Sequence, residues 1–562
     1  MNNTRTRIFL ENQKNDFLYR KSKSNLNIEF NRIAFIFFIF FIIFIIYSIH
    51  LIHLGSRQVK IEINNKSIKE LNKLYRADIL DRNGNYIGKT VSSIDVGIAP
   101  SKIIDKKKLI INLKYILPNK DYNQIEKKIQ KGKFFYLEKK ISEENYEKLM
   151  KLGDKSIEPR DNLIRIYPEK NLFSHIIGQI DSDNNGISGL EKKLDEQLKN
   201  NQSAVLLTVD KDIQSLIRQE LIKFNNIFDT IGSAAILMDI NNGEIISLVS
   251  LPDFDPNKRE KITDKNFINR ATKGVYEFGS VFKTFTIAAG LNDEIIKPET
   301  KFLDLPKSIM CAGFPIREYD QNISSSLTAE QILIRSGNIG SVKIAQAVGQ
   351  EKFELFLSNL GVLEKINFDI EEVGEPIKFK WGKCPLATVS FGHGVTTTLL
   401  QLAKAYSIIT NGGFNVQPSL LKKNEQKKKE IILNKNVSKE ILPILRKIVN
   451  TKEGTASLAN VNGYEIGGKT GTAQKSKAGG YSKKKINSFV SVFPTSKPKF
   501  VLAVMLDEPK INAEYIYHYR DGSNIKYKGT PFNTAGWTTV EVTGQIVEKI
   551  GPILATKYSE VY

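Results

Sequence analysis

Ser280 stands three residues before Lys283 in the largely apolar run "YEFGSVFKTF", residues 276–285. Residues three apart share a helix face, so the hydroxyl and the amine can meet if Ser280 begins a helix. Serine is a poor nucleophile without a base, and a lysine desolvated among Val281, Phe282 and Phe285 is shifted toward its neutral, basic form. Gly279 permits a tight turn into that helix, whose N-terminus would favour negative charge developing near the serine. The chemistry predicted is acyl transfer through Ser280 with Lys283 as base. Spacing alone is weak support, because Ser-x-x-Lys also occurs at Ser419/Lys422, Ser482/Lys485, Ser496/Lys499 and Ser523/Lys526. There, polar, Lys-rich or Gly-rich surroundings keep the amine protonated. For Ser280 itself the plain alternative is a helix cap beside a snorkelling lysine.

Two further groups follow in order. "RSGNIG" supplies Ser336 and Asn338, and "GGKTGTAQ" supplies Lys469, Thr470, Gly471 and Thr472. A literal Ser-Asp-Asn at 182–184 precedes Ser280 and sits among turn-forming residues, so it reads as a loop. "GYEIGGKT", 463–470, is also a G-x-x-x-x-G-K-T, and "VLAVMLDE" ends in Asp507-Glu508, which raises the alternative of a P-loop ATPase. A phosphate loop must open a long helix, and "GTAQKSKAGGY" after it is too glycine-rich for one. A hairpin with "NSFVSVFP" as partner is expected instead, with Lys469 on an edge-facing strand.

The elements that position these groups extend over 562 residues, enough for two or more domains. Ile33 to Leu54 holds no charged residue and is long enough to cross a bilayer as one permanent anchor, longer than a signal-peptide core. Arg20, Lys21, Lys23 and Arg32 before it are matched by Arg57, Lys60, Lys66 and Lys69 after it, so the positive-inside rule barely chooses an orientation. "YRADILDRNGNYIGKTV" predicts a hairpin turning at Asp81 to Gly84, 102–154 a Lys-rich helical stretch, and "LLTVDKDIQSLIRQEL" a strand passing into a helix with Asp210 or Asp212 near its start. "AAILMDINNGEIISLVS" predicts a second hairpin. "SFVSVFP" and "KFVLAVMLDEP" predict late strands, so the first and last strands of one sheet should meet with helices between them. The net charge of +21 comes from lysines scattered through the chain, read as compositional bias ahead of attraction to an anionic envelope surface, with nucleic acid last. Cys311 and Cys384 form no CxxC or metal spacing and read as two unrelated buried thiols, although an oxidising compartment would let them pair. His393 in "FGHG" reads as a loop residue bonded to backbone rather than a base.

Ser-x-x-Lys, Ser-x-Asn and Lys-Thr-Gly in this order resemble the signature shared by class A β-lactamases and penicillin-binding proteins. With "RADILDRNG", "RIYP", "GISGLE" and "FGHGVTTTLLQLAKAYSIITNGG", the chain resembles a class B penicillin-binding protein, a membrane-anchored peptidoglycan D,D-transpeptidase, over about 60–555. "NRATKGVYEFGSVFK", with Glu277, is more like the septal, cell-division branch than the elongation branch. The resemblance implies an α+β fold: a transpeptidase domain with a central antiparallel sheet and helices on both faces, after an elongated α+β pedestal and one transmembrane helix. The boundaries expected are a cytoplasmic tail 1–32, a transmembrane helix 33–54, a pedestal 55–203 and a transpeptidase domain 204–562, with the catalytic part periplasmic on the inner membrane. It further implies that Ser280 attacks the D-Ala-D-Ala carbonyl, Lys283 is the base, Ser336 relays protons and Asn338 bonds the donor amide. Lys469 would add positive charge, Thr470 and Thr472 would hold the donor carboxylate or a β-lactam, and Gly471 would let the donor backbone approach. Backbone N–H groups of Ser280 and Thr472 would form the oxyanion hole. No metal or cofactor is implied. Partners implied are stem peptides, β-lactams as covalent inhibitors, a membrane-embedded glycan polymerase and other division proteins. Phe278 departs from the family's usual proline, which puts in question how rigidly the serine is placed and whether the ring meets substrate. An inactive scaffold and a β-lactamase are the remaining alternatives. Arg76, Asp81, Arg82, Arg165 and Glu191 are expected as buried ion pairs joining the two domains, with part of a partner surface as the alternative.

Overall fold

The uncharged run from 33 to 54 lies in one long helix, α1 (Ser24–Ser56), whose span Arg32–His53 has mean hydropathy 2.8 and is long and apolar enough to cross a membrane. The computed structural model describes residues 24–56, 75–201, 203–258, 267–422, 430–477 and 480–558, so residues 1–23 of the expected tail and the basic residues from Arg57 to Lys69 lie outside them. The chain forms two compact units, Met1–Asn72 and Lys73–Tyr562.

The second unit begins with the predicted hairpin. Strands β1 (Ile79–Leu80) and β2 (Tyr86–Ile98) turn at Asp81, whose carboxylate accepts the N–H groups of Asn83 and Asn85. The Lys-rich stretch is helical over α2 (Lys106–Ile116), α3 (Tyr122–Gln130) and α4 (Glu143–Lys151), but a strand the sequence reading missed, β3 (Phe135–Glu138), interrupts it. β2 pairs with β3 and with β4 (Ile157–Ile166) around a small core of Val96, Ile98, Leu113 and Leu149. The Ser-Asp-Asn at 182–184 is a turn, with Asn184 at φ +66°.

β5 (Val205–Leu206) pairs in parallel with β1 and leads to α5 (Lys211–Ile227), capped by the Asp210 carboxylate. The second predicted hairpin is β6 (Gly232–Asp239) and β7 (Ile245–Leu251). Then come α6 (Lys283–Asn292), the short hairpin β8 (Ser308–Cys311) and β9 (Phe314–Arg317), α7 (Asn338–Val348), α8 (Leu399–Thr410) and α9 (Lys435–Asn450). β10 (Gly467–Lys477), β11 (Gly480–Phe493), β12 (Phe500–Asp507) and α10 (Thr539–Lys557) complete the fold. The five-stranded antiparallel sheet runs β10-β11-β12-β6-β7, so an early strand and a late one meet at β6 and β12 as expected. Every residue of β6, β7 and β12 is buried. That pattern needs cover on both faces: α5 and α10 pack together against the sheet, while α8 and α9 pack on it and on each other, α9 against β10.

Cys311 and Cys384 are joined in a disulfide, which corrects the reading of two separate thiols. The bond fastens the β8–β9 hairpin to the helix Lys383–Val389, bringing together positions 73 apart in sequence.

The five charged residues expected to join the domains divide instead into two sets. Glu191 bonds Arg76 at 2.7 Å and Arg165 at 2.7 Å within the region before 203. Only Arg82, paired with Glu244 and Tyr558, and Asp81, which accepts the Lys211 N–H at 3.1 Å, reach across.

Candidate active site

Ser280 lies in a single 3-10 turn, Gly279–Phe282, that runs directly into α6 at Lys283. Gly279 has φ +57°, and a Cβ there would stand 2.9 Å from the Thr472 carbonyl oxygen, so glycine lets this turn press against β10. A Cβ on Gly471 would collide with the Phe278 carbonyl and the Val281 side chain. The serine's own loop therefore needs glycine at 471, a constraint in addition to the room expected for a donor backbone. Phe278 is wholly buried, edge-on to Tyr276 at 5.9 Å, and is not among the cleft-lining residues; contact of its ring with substrate is excluded. The Tyr406 hydroxyl, from α8, donates to the Val281 carbonyl at 3.0 Å and lies 2.8 Å from Thr284 Oγ1, tying the turn to the core.

The structure brings the three motifs together. Lys283 Nζ donates to the Ser336 carbonyl at 2.5 Å and to its Oγ at 3.1 Å, and Lys469 Nζ reaches the same Oγ at 3.0 Å. Ser336 has φ +57°, an unfavourable conformation for a residue with a Cβ, and such residues cluster where geometry serves function. Lys283 is 1 % exposed and Lys469 fully buried. Burial, against a smaller opposing pull from Glu318, brings Lys283 down from the ordinary lysine value to about 7. Burial and then the charge of Lys283 push Lys469 well below the ordinary range. A lysine near neutrality at working pH can take a hydroxyl proton.

Lys469 and Thr470 lie inside β10 in register with Val490 and Phe489, and no helix opens at Gly471, so no phosphate loop exists here. Asp507 pairs with Arg270 and Lys475. Thr470 Oγ1 is 2.8 Å from Thr455 Oγ1, and Thr472 Oγ1 accepts the Ala535 N–H at 3.0 Å. Asn338 opens α7, its side-chain amide donating to the Arg317 carbonyl at 2.7 Å. Ser280, Lys283, Ser336, Asn338, Thr470 and Thr472 all line one cleft of about 1040 Å³. His393 also faces it, but instead of bonding backbone through its ring it packs against Tyr481, 4.5 Å between centroids, with Nδ1 3.8 Å from Glu277.

Sequence reasoning missed Glu318, only 6 % exposed, whose carboxylate accepts the N–H groups of Asn338 at 2.6 Å and Ile339 at 2.8 Å. No motif or periodicity marks it.

Fold and site together define a serine acyl-transfer enzyme. Residues 233–524 match the penicillin binding protein transpeptidase domain and 72–223 the penicillin-binding protein dimerisation domain. The chain belongs to the penicillin-binding protein transpeptidase family. It is 28% identical over 498 residues to the probable peptidoglycan D,D-transpeptidase FtsI of Caulobacter vibrioides, covering 86% of this chain and 82% of that one. It is 30% identical over 484 residues to the stage V sporulation protein D of Bacillus subtilis, covering 77% and 74%. The fold matches penicillin binding protein 3 of Mycobacterium tuberculosis, solved with aztreonam, at TM-score 0.64 and 21% identity over 85% of this chain and 96% of that one.

Proposed function

We propose that the chain is an acyl-serine D,D-transpeptidase that cross-links peptidoglycan stem peptides at the septum and is acylated by β-lactams. The observation that carries this is the convergence of two buried amines, Lys283 and Lys469, on Ser336 Oγ in the cleft that Ser280 lines. Ser280 Oγ attacks the carbonyl between the two terminal D-alanines and its proton passes to neutral Lys283. The tetrahedral oxyanion is met by the N–H groups of Ser280 and Thr472, one such donor being worth about 3–4 kcal/mol. Collapse breaks the peptide bond, and the proton moves through Ser336 to the departing D-alanine amine. An amine of a neighbouring stem peptide then attacks the acyl-enzyme, gives up its proton along the same route and frees Ser280.

The donor lies extended along the free edge of β10, the mode by which sheets take up peptides. Its carboxylate meets the Thr470 and Thr472 hydroxyls and the charge that Lys469 gains once an anion is beside it, and its amide meets Asn338. Residues 33–54 anchor the enzyme in the inner membrane after a cytoplasmic tail 1–32, with a pedestal 55–203 and a periplasmic catalytic domain 204–562. A membrane-embedded glycan polymerase and other division proteins are the partners of this reading. Similarity to FtsI supports the septal assignment.

Labelling with a fluorescent penicillin tests the chemistry. The purified chain should form a stable covalent adduct and Ser280→Ala none, while a scaffold would form none and a lactamase would turn the probe over. A fluorescent fusion at midcell supports the septal role, and one along the side wall assigns elongation.

A further inference from the structure

Glu318 follows the β9 strand of the hairpin that the disulfide fastens, and holds the first two N–H groups of α7 with its two carboxylate oxygens. α7 begins two residues after Ser336, the residue on which both catalytic amines converge. The same carboxylate is the charge that opposes the desolvation of Lys283.

Glu318 is the charge that acts on Lys283, while Lys283 in turn depresses Lys469 of β10. Of the other ionisable groups on the cleft, Asp320 pairs with Arg335 and Glu453 is exposed. The buried Tyr406 phenol of α8 is held in its neutral form by desolvation. Glu330, from the helix Ala329–Ile334, and Lys447 of α9 pair with each other at the surface. Lys343 of α7 is exposed, and Asp293, just beyond α6, pairs with Lys352.

We propose that Glu318 is a positioning residue for acylation that acts through Lys283: pinned by the first two N–H groups of α7, two residues beyond the Ser336 oxygens that Lys283 touches, its carboxylate answers the positive charge Lys283 gains on taking the Ser280 proton. This rests on the transpeptidase reading above. Burial alone drives an amine toward a pKa too low for a useful base, and a carboxylate anchored by backbone N–H groups offsets that drift without pairing with the amine directly. Glutamine at this position retains a carbonyl acceptor and loses the charge.

The test is the pH profile of acylation by a fluorescent penicillin, read on the detergent-solubilised full chain between about pH 5 and 9, with thermal melts beside it. Wild-type labelling that Ser280→Ala abolishes secures the underlying reading on its own. In Glu318→Gln the acidic limb should move down by about one pH unit, because Lys283 sheds its proton earlier. Glu318→Asp, whose charge is drawn back by one methylene, should fall between the two. A limb left at the wild-type pH, with the rate lowered equally at all pH values, overturns the proposal while the transpeptidase reading stands. If Glu318→Gln fails to melt cooperatively, Glu318→Asp decides alone: a lowered limb supports the proposal and an unmoved one overturns it.

Discussion

In the region before residue 203, Glu191 lies fully buried between the guanidinium groups of Arg76 and Arg165, with Asp195 completing the pairing of Arg76. In the cleft, Lys283 and Lys469 are buried as deeply, yet among the described residues neither forms an ion pair. Burial opposes the charge of Arg76, but Glu191 and Asp195 outweigh it and hold the guanidinium more firmly protonated than usual. Burial goes unanswered at Lys469 and only partly answered at Lys283. Desolvation acts in both places, and the partner decides whether the buried charge holds the fold or becomes a reagent.

The sharpest way to break this contrast is to remove one member from each set. Lys283→Ala should lower the rate of β-lactam acylation by roughly 10²–10⁴-fold, the range typical of losing a general base. Its melting temperature should fall less than that of Glu191→Ala, because hydrogen bonds to Ser336 and packing are lost with the amine but no ion pair is. Equal labelling in the variant would move the base elsewhere. Glu191→Ala should do the reverse. It leaves the buried Arg165 guanidinium without a carboxylate and Arg76 with Asp195 alone, at a cost of about 3–5 kcal/mol in unfolding free energy. Labelling per folded molecule at low temperature should stay close to wild type, and a selective loss of labelling instead would mean that the cluster serves the cleft.

Which parts of this contrast the sequence reveals depends on the range of the contact. Ser280 and Lys283 are legible because one turn of chain carries both, and the hairpins because their turns are local. The meeting of an early strand with a late one in a single sheet followed from where the apolar runs fall. Pairing of Cys311 with Cys384 was not legible, since it depends on Cα positions that only the fold sets. Glu318 was equally hidden, because its acceptors serve N–H groups 20 and 21 residues further on and nothing in "REYD" announces burial. A second constraint on Gly471 was hidden for the same cause: what crowds it is the turn around Phe278 and Val281, distant in sequence.

A smaller effect separates the two regions by pH. Lys283 titrates near 7 in the folded chain, against about 10.4 for an ordinary lysine in the unfolded one. Acylation should therefore rise with pH through about 7 and then level off, with the rate one unit below that midpoint near one-tenth of the plateau. Between about 7 and 10 the unfolded state binds the proton that the folded state has shed, so this site makes stability increase with pH, and below 7 its full cost remains. Lys283→Met removes the cost, so the gain in melting temperature over wild type should be largest below pH 7 and shrink steadily above it. Asp195 contributes with the opposite sign and in a more acidic window: burial would raise its pKa, but hydrogen bonds from Lys199 and Arg76 hold it lower. A depressed carboxylate gives stability that is present above its unfolded value and lost as pH falls through the folded one. Asp195→Asn should thus melt below wild type at neutral pH, with the gap closing only in acid. If Asp195→Asn melted above wild type at neutral pH, or Lys283→Met below wild type under pH 7, paired and unpaired burial would not be the distinction between these regions.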